Sequence, residues 1–299
     1  RTISTNGEII GTKFNVYHFV LDGYGRADTL REVLNFDNTP FVQNLNKMGF
    51  WLGRKSFANY PMTSLSVSSI LDMDYLVEPS LNALKNYTKY QILLSGHNRT
   101  VNTFKGLGYK FVMVPPGSWA GTDCRGAEDI CLRTESIGIN ETQITLLAMT
   151  PFEPILRKFA GSFLAFKRNE FPNIIKDIRK TKASSRKPLF VFSHLMIPHD
   201  PIYTRDCQVK SEINKIAESI SEEKKRSYVE TVECVNRQIL EHLPKLISDD
   251  PSAIVILQSD HGFAFGNFFD RHPNDWNIEE IKWRYGNINA IRAPVECHK

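Results

Sequence analysis

Short apolar runs along the chain predict the strands of an α/β sheet. Residues 253–257 are apolar and mostly branched, which is typical of a strand that is buried on both faces. Residues 14–21 and 188–192 have the same character, and residues 286–295 predict a late strand. Residues 82–114 predict two helices followed by a strand. This alternation of strands and helices indicates an α/β fold.

Two further segments predict helices with defined ends. Thr39 followed by Pro40 suits an N-cap and the first helical position, and Gly49 ends the apolar spacing. Residues 211–243 predict a long amphipathic helix, with apolar positions inside and charges outside. We expect Pro244 to end or kink this helix, because proline lacks the amide hydrogen.

Composition narrows the function classes. The chain has 299 residues, 41% hydrophobic and 23% charged, which is typical of a globular protein with a large core. No run of eighteen apolar residues predicts a membrane-spanning helix. A net charge of +4 without a basic-aromatic motif argues against nucleic acid as a partner. Because the sequence starts abruptly at Arg1, without a signal peptide, and ends at Lys299, we expect truncation at one or both ends.

The five cysteines predict two disulfides. Cys124 and Cys131 bracket a short polar loop that lacks a nearby histidine, which favours a disulfide over a zinc site. Cys207 and Cys234 form the second predicted pair, and Cys297 stays unpaired. Two disulfides indicate an oxidising, extracytoplasmic location, either periplasmic or at the cell surface. The alternative is five reduced, buried thiols.

Carboxylates and a histidine follow two of the predicted strands. Asp260 and His261 come directly after residues 253–257, and Asp22 comes directly after residues 14–21. Open α/β sheets place their ligand sites at this end of the strands, and Asp with His suits a divalent cation. The alternatives are a buried Asp–His hydrogen bond and, for Asp22, a helix N-cap.

A hydroxyl-rich segment supplies a candidate nucleophile. Pro61 keeps Tyr60 out of the helical region, so Thr63 is predicted at or near the start of a helix. The amide groups and dipole at that end favour an anion, and a threonine there could attack a substrate. The alternative is an ordinary helix cap.

Histidines and basic residues suggest further contacts. His199 lies between Pro198 and Pro201, which stiffen its loop, and this placement suits a ligand or a donor to a phosphate oxygen. Residues 150–187 hold ten Lys or Arg against three Asp or Glu. With their amphipathic spacing they predict either contact with an anionic membrane surface or a solvated helix face.

Five motifs occur in a familiar order: Asp22-Gly23 after a strand, Thr39-Pro40 with Leu45 and Gly49, the Thr63 segment, Pro198-His199-Asp200-Pro201, and Ser259-Asp260-His261-Gly262. In this order the chain resembles the alkaline phosphatase superfamily, in its sulfatase-like branch. The resemblance runs from about residue 14 to residue 294. It implies a three-layer α/β/α sandwich with a central, mostly parallel (mixed) sheet, as a single catalytic domain over residues 1–299.

The resemblance also implies roles for five residues. Asp22, Asp260, His261 and the oxygen of Thr63 would ligate one divalent metal ion. Zinc or manganese is expected, calcium and magnesium also suit the site, and a second metal is left open. Thr63 would be the nucleophile, and His199 would bind the substrate, protonate a leaving group or reach a second metal. Two more histidines, His194 and His272, are interpreted as surface or packing residues.

The departures from sulfatases shape the predicted reaction. Residue 63 is a threonine rather than the Cys or Ser that becomes formylglycine, and the proline and arginine that follow it in sulfatases are missing. In having a threonine at this position, the chain resembles lipoteichoic acid synthases, phosphoethanolamine transferases and nucleotide phosphodiesterases, which act on phosphate esters. The resemblance thus implies a metal-dependent hydrolase or transferase that acts on phosphate diesters, phosphate monoesters or sulfate esters through a covalent threonine intermediate. Lipid- or glycan-linked esters are among the expected substrates. The alternative is a degenerate member that binds a polyanionic glycan or lipid head group.

Overall fold

The structure is a computed structural model. It describes residues 13–76, 87–116, 119, 121–133, 150, 171–199, 203–208, 210, 222–265 and 271–297.

Within these residues, seven strands form one sheet in the order β2-β7-β6-β1-β5-β3-β4. The strands are β1 (Val16–Leu21), β2 (Trp51–Leu52), β3 (Lys110–Val114), β4 (Ile130–Cys131), β5 (Leu189–Leu195), β6 (Ile254–Gln258) and β7 (Asn289–Arg292). The pairs β6–β1, β1–β5, β5–β3 and β3–β4 are parallel, whereas β7 runs antiparallel to both β6 and β2. The sheet is therefore mixed and mostly parallel.

Helices connect the strands. The described helices are α1 (Ala27–Leu34), α2 (Thr39–Lys47), α3 (Thr63–Asp72), α4 (Tyr87–Leu94), α5 (Arg99–Gly106), α6 (Phe171–Ser184), α7 (Glu222–Asp249) and α8 (Ile278–Tyr285). Among the described residues, no helix has both the length and the hydropathy needed to cross a membrane.

Both faces of the sheet are covered, as the central strand β1 shows. Tyr17, Phe19 and Leu21 belong to a large core cluster that includes residues of α6 and α7. Val16 and Val20 point the other way, into a smaller cluster that includes residues of α3 and α5. Because side chains alternate along a strand, every residue of β1 is buried. The three-layer α/β fold predicted from the sequence is confirmed.

Some predicted details are wrong. In β6, Val255 and Leu257 are buried, but Ile254 and Ile256 are only partly covered, so the strand is fully buried on one face only. Helix α7 does not end at Pro244, which was one of the two expectations for that residue; it runs on to Asp249, because buried Leu243 and Leu246 anchor it on both sides of the proline. Strand β5 extends to Leu195, three residues beyond its predicted end, and therefore contains His194.

The start of helix α2 differs from its prediction by one residue, because Asn38 rather than Thr39 is the N-cap and Thr39 is the first helical residue. Other details agree with the sequence. The chain leaves α2 at Gly49, whose φ of 86° lies in the left-handed region that glycine favours. The two predicted disulfides, Cys124–Cys131 and Cys207–Cys234, are both present, and Cys297 is free and exposed. The apolar face predicted at Leu156, Phe159, Phe163 and Phe166 lies outside the described residues.

Candidate active site

Four of the predicted site residues meet at one edge of the sheet. Strands β1 and β6 are parallel neighbours in register, with Val20 opposite Gln258, so Asp22 and Asp260 leave the sheet side by side. His261 Nε2 lies 3.1 Å from Asp260 Oδ2 and 3.6 Å from Asp22 Oδ1. Thr63, the first residue of α3, places its Oγ1 3.0 Å from His261 Nε2 and 3.3 Å from Asp22 Oδ2.

Two glycines allow the strand ends to approach so closely. Gly23 has a φ of 70°, and its amide donates to Asp260 Oδ1 over 3.1 Å, which ties the two strand ends together. At Gly262 an added Cβ would overlap the backbone carbonyl oxygens of Trp283 and Gly286. Only glycine therefore lets the segment after His261 lie against the end of α8.

The donor set fits a divalent cation. Asp22, Asp260 and His261 are buried, and one ligand atom from each lies within 4.8 Å of the others. Asp22 Oδ1 and Asp260 Oδ2 are fully buried and make no hydrogen bond within the described part of the chain. Buried carboxylate oxygens without partners are costly unless a cation occupies the space between them. Two carboxylates and an imidazole are suitable ligands for such an ion.

The protonation of His261 suits metal binding. Arg284 Nη2 lies 3.1 Å from His261 Nε2, and a guanidinium can only donate, so Nε2 carries the lone pair. The proton is therefore on Nδ1, which donates to the Gly262 carbonyl oxygen over 2.9 Å. A histidine whose other nitrogen is held by a backbone carbonyl is a common arrangement for a metal ligand.

The electrostatics of the site shift the pKa values of the two carboxylates in opposite directions. Burial raises the pKa of Asp22, but the histidines around it, His199 first, outweigh burial and leave that pKa below its usual range. Burial, and then the charge of Asp22, raise the pKa of Asp260 to about 6. Burial and the nearby Arg284 hold the pKa of His261 well below its usual range. At neutral pH the imidazole of His261 is therefore uncharged, as a metal ligand must be.

His199 lies on the solvent side of this group. Its ring centroid is 6.2 Å from that of His261, and its backbone amide donates to the carbonyl oxygen of Asp22 over 2.9 Å. The side chain is exposed, whereas the other four predicted residues are wholly or partly buried. Of the five predicted residues, His199 is thus the most accessible to solvent.

Arg284 is a buried member of the site that the sequence did not indicate. It is 3% exposed, its Nε donates to the Pro61 carbonyl oxygen over 2.6 Å, and its Nη1 donates to the Gly262 carbonyl oxygen over 2.9 Å. It thereby joins the segment before Thr63 to the segment after His261. The Asn277–Glu280 capping box marks the start of α8, but no sequence motif shows which way Arg284 points.

His194 also lies closer to the site than expected. It is fully buried in β5, and its Nε2 is 3.3 Å from Asp22 Oδ2. The sequence placed it in a loop as a surface or packing residue, because the extra length of β5 could not be foreseen. His272 differs, since it is exposed and its Nδ1 accepts a hydrogen bond from the Asn274 amide, as expected of a surface histidine.

Comparisons with known proteins agree with this architecture. The family model described as Sulfatase matches residues 9–287. No curated protein matches the chain.

Three crystal structures show the same fold at low sequence identity. The soluble domain of lipooligosaccharide phosphoethanolamine transferase A from Neisseria meningitidis has a TM-score of 0.58 and 14% identity, over 95% of this chain and 78% of that one. The C-terminal periplasmic domain of EcEptC from Escherichia coli, in complex with Zn, has a TM-score of 0.56 and 12% identity, over 96% and 74%. The lipoteichoic acid synthase LtaP from Listeria monocytogenes has a TM-score of 0.51 and 13% identity, over 98% and 69%.

Proposed function

Because the chain belongs to the sulfatase family, we propose that it is an enzyme that transfers or hydrolyses phosphate or sulfate esters, with Thr63 as its nucleophile. One observation carries the proposal. The hydroxyl of Thr63 lies at the start of a helix, within 3.3 Å of both Asp22 and His261, beside two buried carboxylate oxygens that have no partner among the described residues.

A single divalent cation held by Asp22, Asp260, His261 and the Thr63 oxygen completes the proposed site. When bound, the ion would lower the pKa of the threonine hydroxyl and polarise a substrate oxygen. Zinc is favoured by the mixed nitrogen and oxygen donors, and a zinc complex is known for the domain from Escherichia coli that shares this fold. Manganese suits the same donors, and calcium and magnesium are weaker candidates because His261 supplies nitrogen.

The chain's own groups then carry two chemical steps. Thr63 Oγ1 gives its proton to water and attacks phosphorus while the bond to the leaving oxygen breaks, so that the phosphoryl group becomes attached to Thr63. His199 donates a proton to the departing oxygen. A water or an acceptor alcohol next gives a proton to the same imidazole and attacks phosphorus, which releases Thr63.

The start of α3 would hold the transferred group. Thr63 is the first residue of this helix and therefore lies at the positive end of the helix dipole. That end would stabilise an anionic phosphoryl or sulfuryl group attached to Thr63. Burial of Asp22 and Asp260 excludes bulk water from the other side.

A phosphodiester is the proposed substrate class, in preference to a sulfate ester. Residue 63 is threonine rather than the Cys or Ser of formylglycine sulfatases. Two proteins that share the fold are named for phosphoethanolamine transfer to lipooligosaccharide and for lipoteichoic acid synthesis. We therefore propose a lipid- or glycan-linked phosphodiester. The two disulfides support an extracytoplasmic location, and we propose that the chain forms one catalytic domain.

The test is turnover of model esters by protein stripped of metal and reloaded with zinc, manganese, calcium or magnesium. Bis(p-nitrophenyl) phosphate, p-nitrophenyl phosphate and p-nitrophenyl sulfate represent the three substrate classes. We expect metal-dependent turnover, fastest with the diester. Thr63→Ala should lower kcat by about 10³-fold or more, because a nucleophile that acts within a unit contributes factors of this size or larger.

Thr63→Ser and Ser64→Ala are the matched controls. The first keeps a hydroxyl at residue 63, and the second removes the neighbouring hydroxyl, so both should retain turnover. Wild-type rates in Thr63→Ala would contradict the assignment of the nucleophile. Metal binding with tight glycan or lipid binding, but no turnover of any ester, would instead support a degenerate binding protein.

A further inference from the structure

His194 approaches the proposed site from inside the sheet. In β5 it lies opposite Val20 of the neighbouring strand β1, two residues before Asp22. Its side chain is fully buried, and its Nε2 is 3.3 Å from Asp22 Oδ2. Within the described residues, this nitrogen makes no hydrogen bond of good geometry. A buried polar atom aimed at a carboxylate in this way requires an explanation.

The partners of the two ring nitrogens bear on which one carries the proton. Thr122 Oγ1 lies 2.8 Å from His194 Nδ1, and Thr122 is itself fully buried. A carboxylate oxygen such as Asp22 Oδ2 can only accept, so the tautomer with the proton on Nε2 suits this pair, and Nδ1 then accepts from the Thr122 hydroxyl. Trp119 lies edge-on to the imidazole, with ring centroids 5.4 Å apart, and helps to enclose it.

The two carboxylates of the site are held in parallel ways. Asp260 Oδ1 accepts hydrogen bonds from the amides of Gly23 and His261, over 3.1 and 2.9 Å, while its Oδ2 has no partner among the described residues. Asp22 Oδ2 faces Thr63 and His194, while its Oδ1 has no partner there. Each carboxylate thus has one anchored oxygen and one oxygen that faces His261.

The anchor of Asp22 cannot be Thr63 during the reaction. The proposed nucleophile gives up its proton before it attacks, and an alkoxide cannot donate to a carboxylate. Among the residues that the structure describes, the donor that remains near Oδ2 is His194 Nε2, at 3.3 Å.

We propose that His194 is a positioning residue for Asp22: its Nε2–H donates to Oδ2, with Thr122 fixing the tautomer, and thereby turns Oδ1 toward the cation. This inference rests on the proposed function, because it concerns the metal that the site would hold. It assigns His194 to the support of a ligand and not to the ligand set. A hydrogen-bond partner of this kind typically contributes about 10–100-fold to metal affinity.

The test is the affinity of the purified protein for Co²⁺, measured by competition with a chromophoric chelator. His194→Phe keeps the size of the ring and removes the donor, so we expect a loss of about 10–100-fold. His194→Gln keeps an N–H at a similar distance and should recover most of the affinity. Thr122→Val should weaken binding in the same direction by a smaller factor.

His18→Phe is the matched control. His18 is also a buried histidine, in the strand next to β5, but its Nε2 contacts Gln258 rather than a site carboxylate. This variant should lose stability and keep the wild-type Co²⁺ affinity. The visible absorption band of bound Co²⁺ should have the same shape in His194→Gln as in the wild type, because the ligand set is unchanged.

Three outcomes would overturn the proposal. Unchanged affinity in folded His194→Phe would show that the histidine does not support Asp22; should that variant not fold, unchanged affinity in Thr122→Val has the same meaning. A changed Co²⁺ band in His194→Gln would show that His194 is itself a ligand. Failure of the wild-type protein to bind any divalent cation would overturn the proposed function together with this inference. If the wild-type protein binds the cation and either of the first two outcomes is seen, only the role proposed for His194 is overturned.

Discussion

The buried Arg284 offers a test of the charge balance in the site. The perturbation is Arg284→Met, which keeps the aliphatic part of the side chain and removes the guanidinium. The wild-type group is 3% exposed and donates to Pro61, Gly262 and His261. It also lies among the carboxylates of Asp22 and Asp260, both of which counter the lowering of its pKa by burial.

The expected loss of stability follows from these contacts. A hydrogen bond that involves a charged group contributes about 1.5–3 kcal/mol, and removing one partner from a buried ion pair costs about 3–5 kcal/mol. Arg284 also lowers the pKa of Asp260, so without the guanidinium Asp260 will take up a proton more readily and relieve part of the loss. We therefore expect Arg284→Met to lower the free energy of unfolding by about 3–4 kcal/mol in metal-free buffer at pH 7.

A divalent cation should reverse part of this loss. Arg284 Nη2 donates to the His261 lone pair that a metal needs, so the wild-type protein gives up a hydrogen bond when it binds the ion, and the variant does not. At a metal concentration of about 100 times the wild-type Kd, binding stabilises the wild-type protein by about 2.7 kcal/mol. At that same metal concentration the gain should be larger in Arg284→Met.

The assay is urea unfolding followed by tryptophan fluorescence, with chelator and with added zinc. Arg179→Met is the matched control, since Arg179 donates to Asp249 at an exposed site, where solvent screens the pair, and its loss should change stability far less than that of Arg284. Arg284→Lys should fall between the wild type and Arg284→Met. A metal-free Arg284→Met protein as stable as the wild type, or an equal gain from zinc in both, would refute this account of the charge balance.

Two further predictions concern stability away from the site. Burial lowers the pKa of His18 to about 4, so between about pH 6.5 and pH 4 the unfolded chain binds more protons than the folded protein. The free energy of unfolding should therefore fall by up to about 3 kcal/mol as the pH drops through that range. Urea unfolding at pH 7 and pH 4.5 should show that His18→Phe lacks this part of the acid sensitivity. Replacing both Cys207 and Cys234 by alanine opens a loop with a sequence separation of 27. The chain-entropy relation then gives a loss of about 3.5 kcal/mol in the free energy of unfolding, which should lower the urea midpoint. A midpoint unchanged from that of the wild type would contradict this prediction.

The fold and most of the site could be predicted because they depend on local patterns. The run before Asp260 and the run before Asp22 are both strands, and parallel neighbours bring their carboxyl ends together. Pro61 correctly indicated a helix start at Thr63. The order of motifs then supplied roles that no single segment could.

The rest depends on long-range placement of side chains. Arg284 lies 23 residues after His261, and it reaches the site because α8 packs against the turn at Gly262, which no local pattern shows. His194 was misplaced because strand length is set by the partner strand, and the pairing of β5 with β1 continues to Leu195. For the same reason the sequence could not show that Ile254 and Ile256 lie on a partly covered face.

The most direct test of the central claim is rapid-quench mass spectrometry of the metal-loaded enzyme, in excess over bis(p-nitrophenyl) phosphate. If Thr63 is the nucleophile, a p-nitrophenylphosphoryl group should appear on Thr63 before the second product is released, and it should be absent from Thr63→Ala. Complete turnover with no adduct on Thr63, or with the adduct on another residue, would contradict the mechanism.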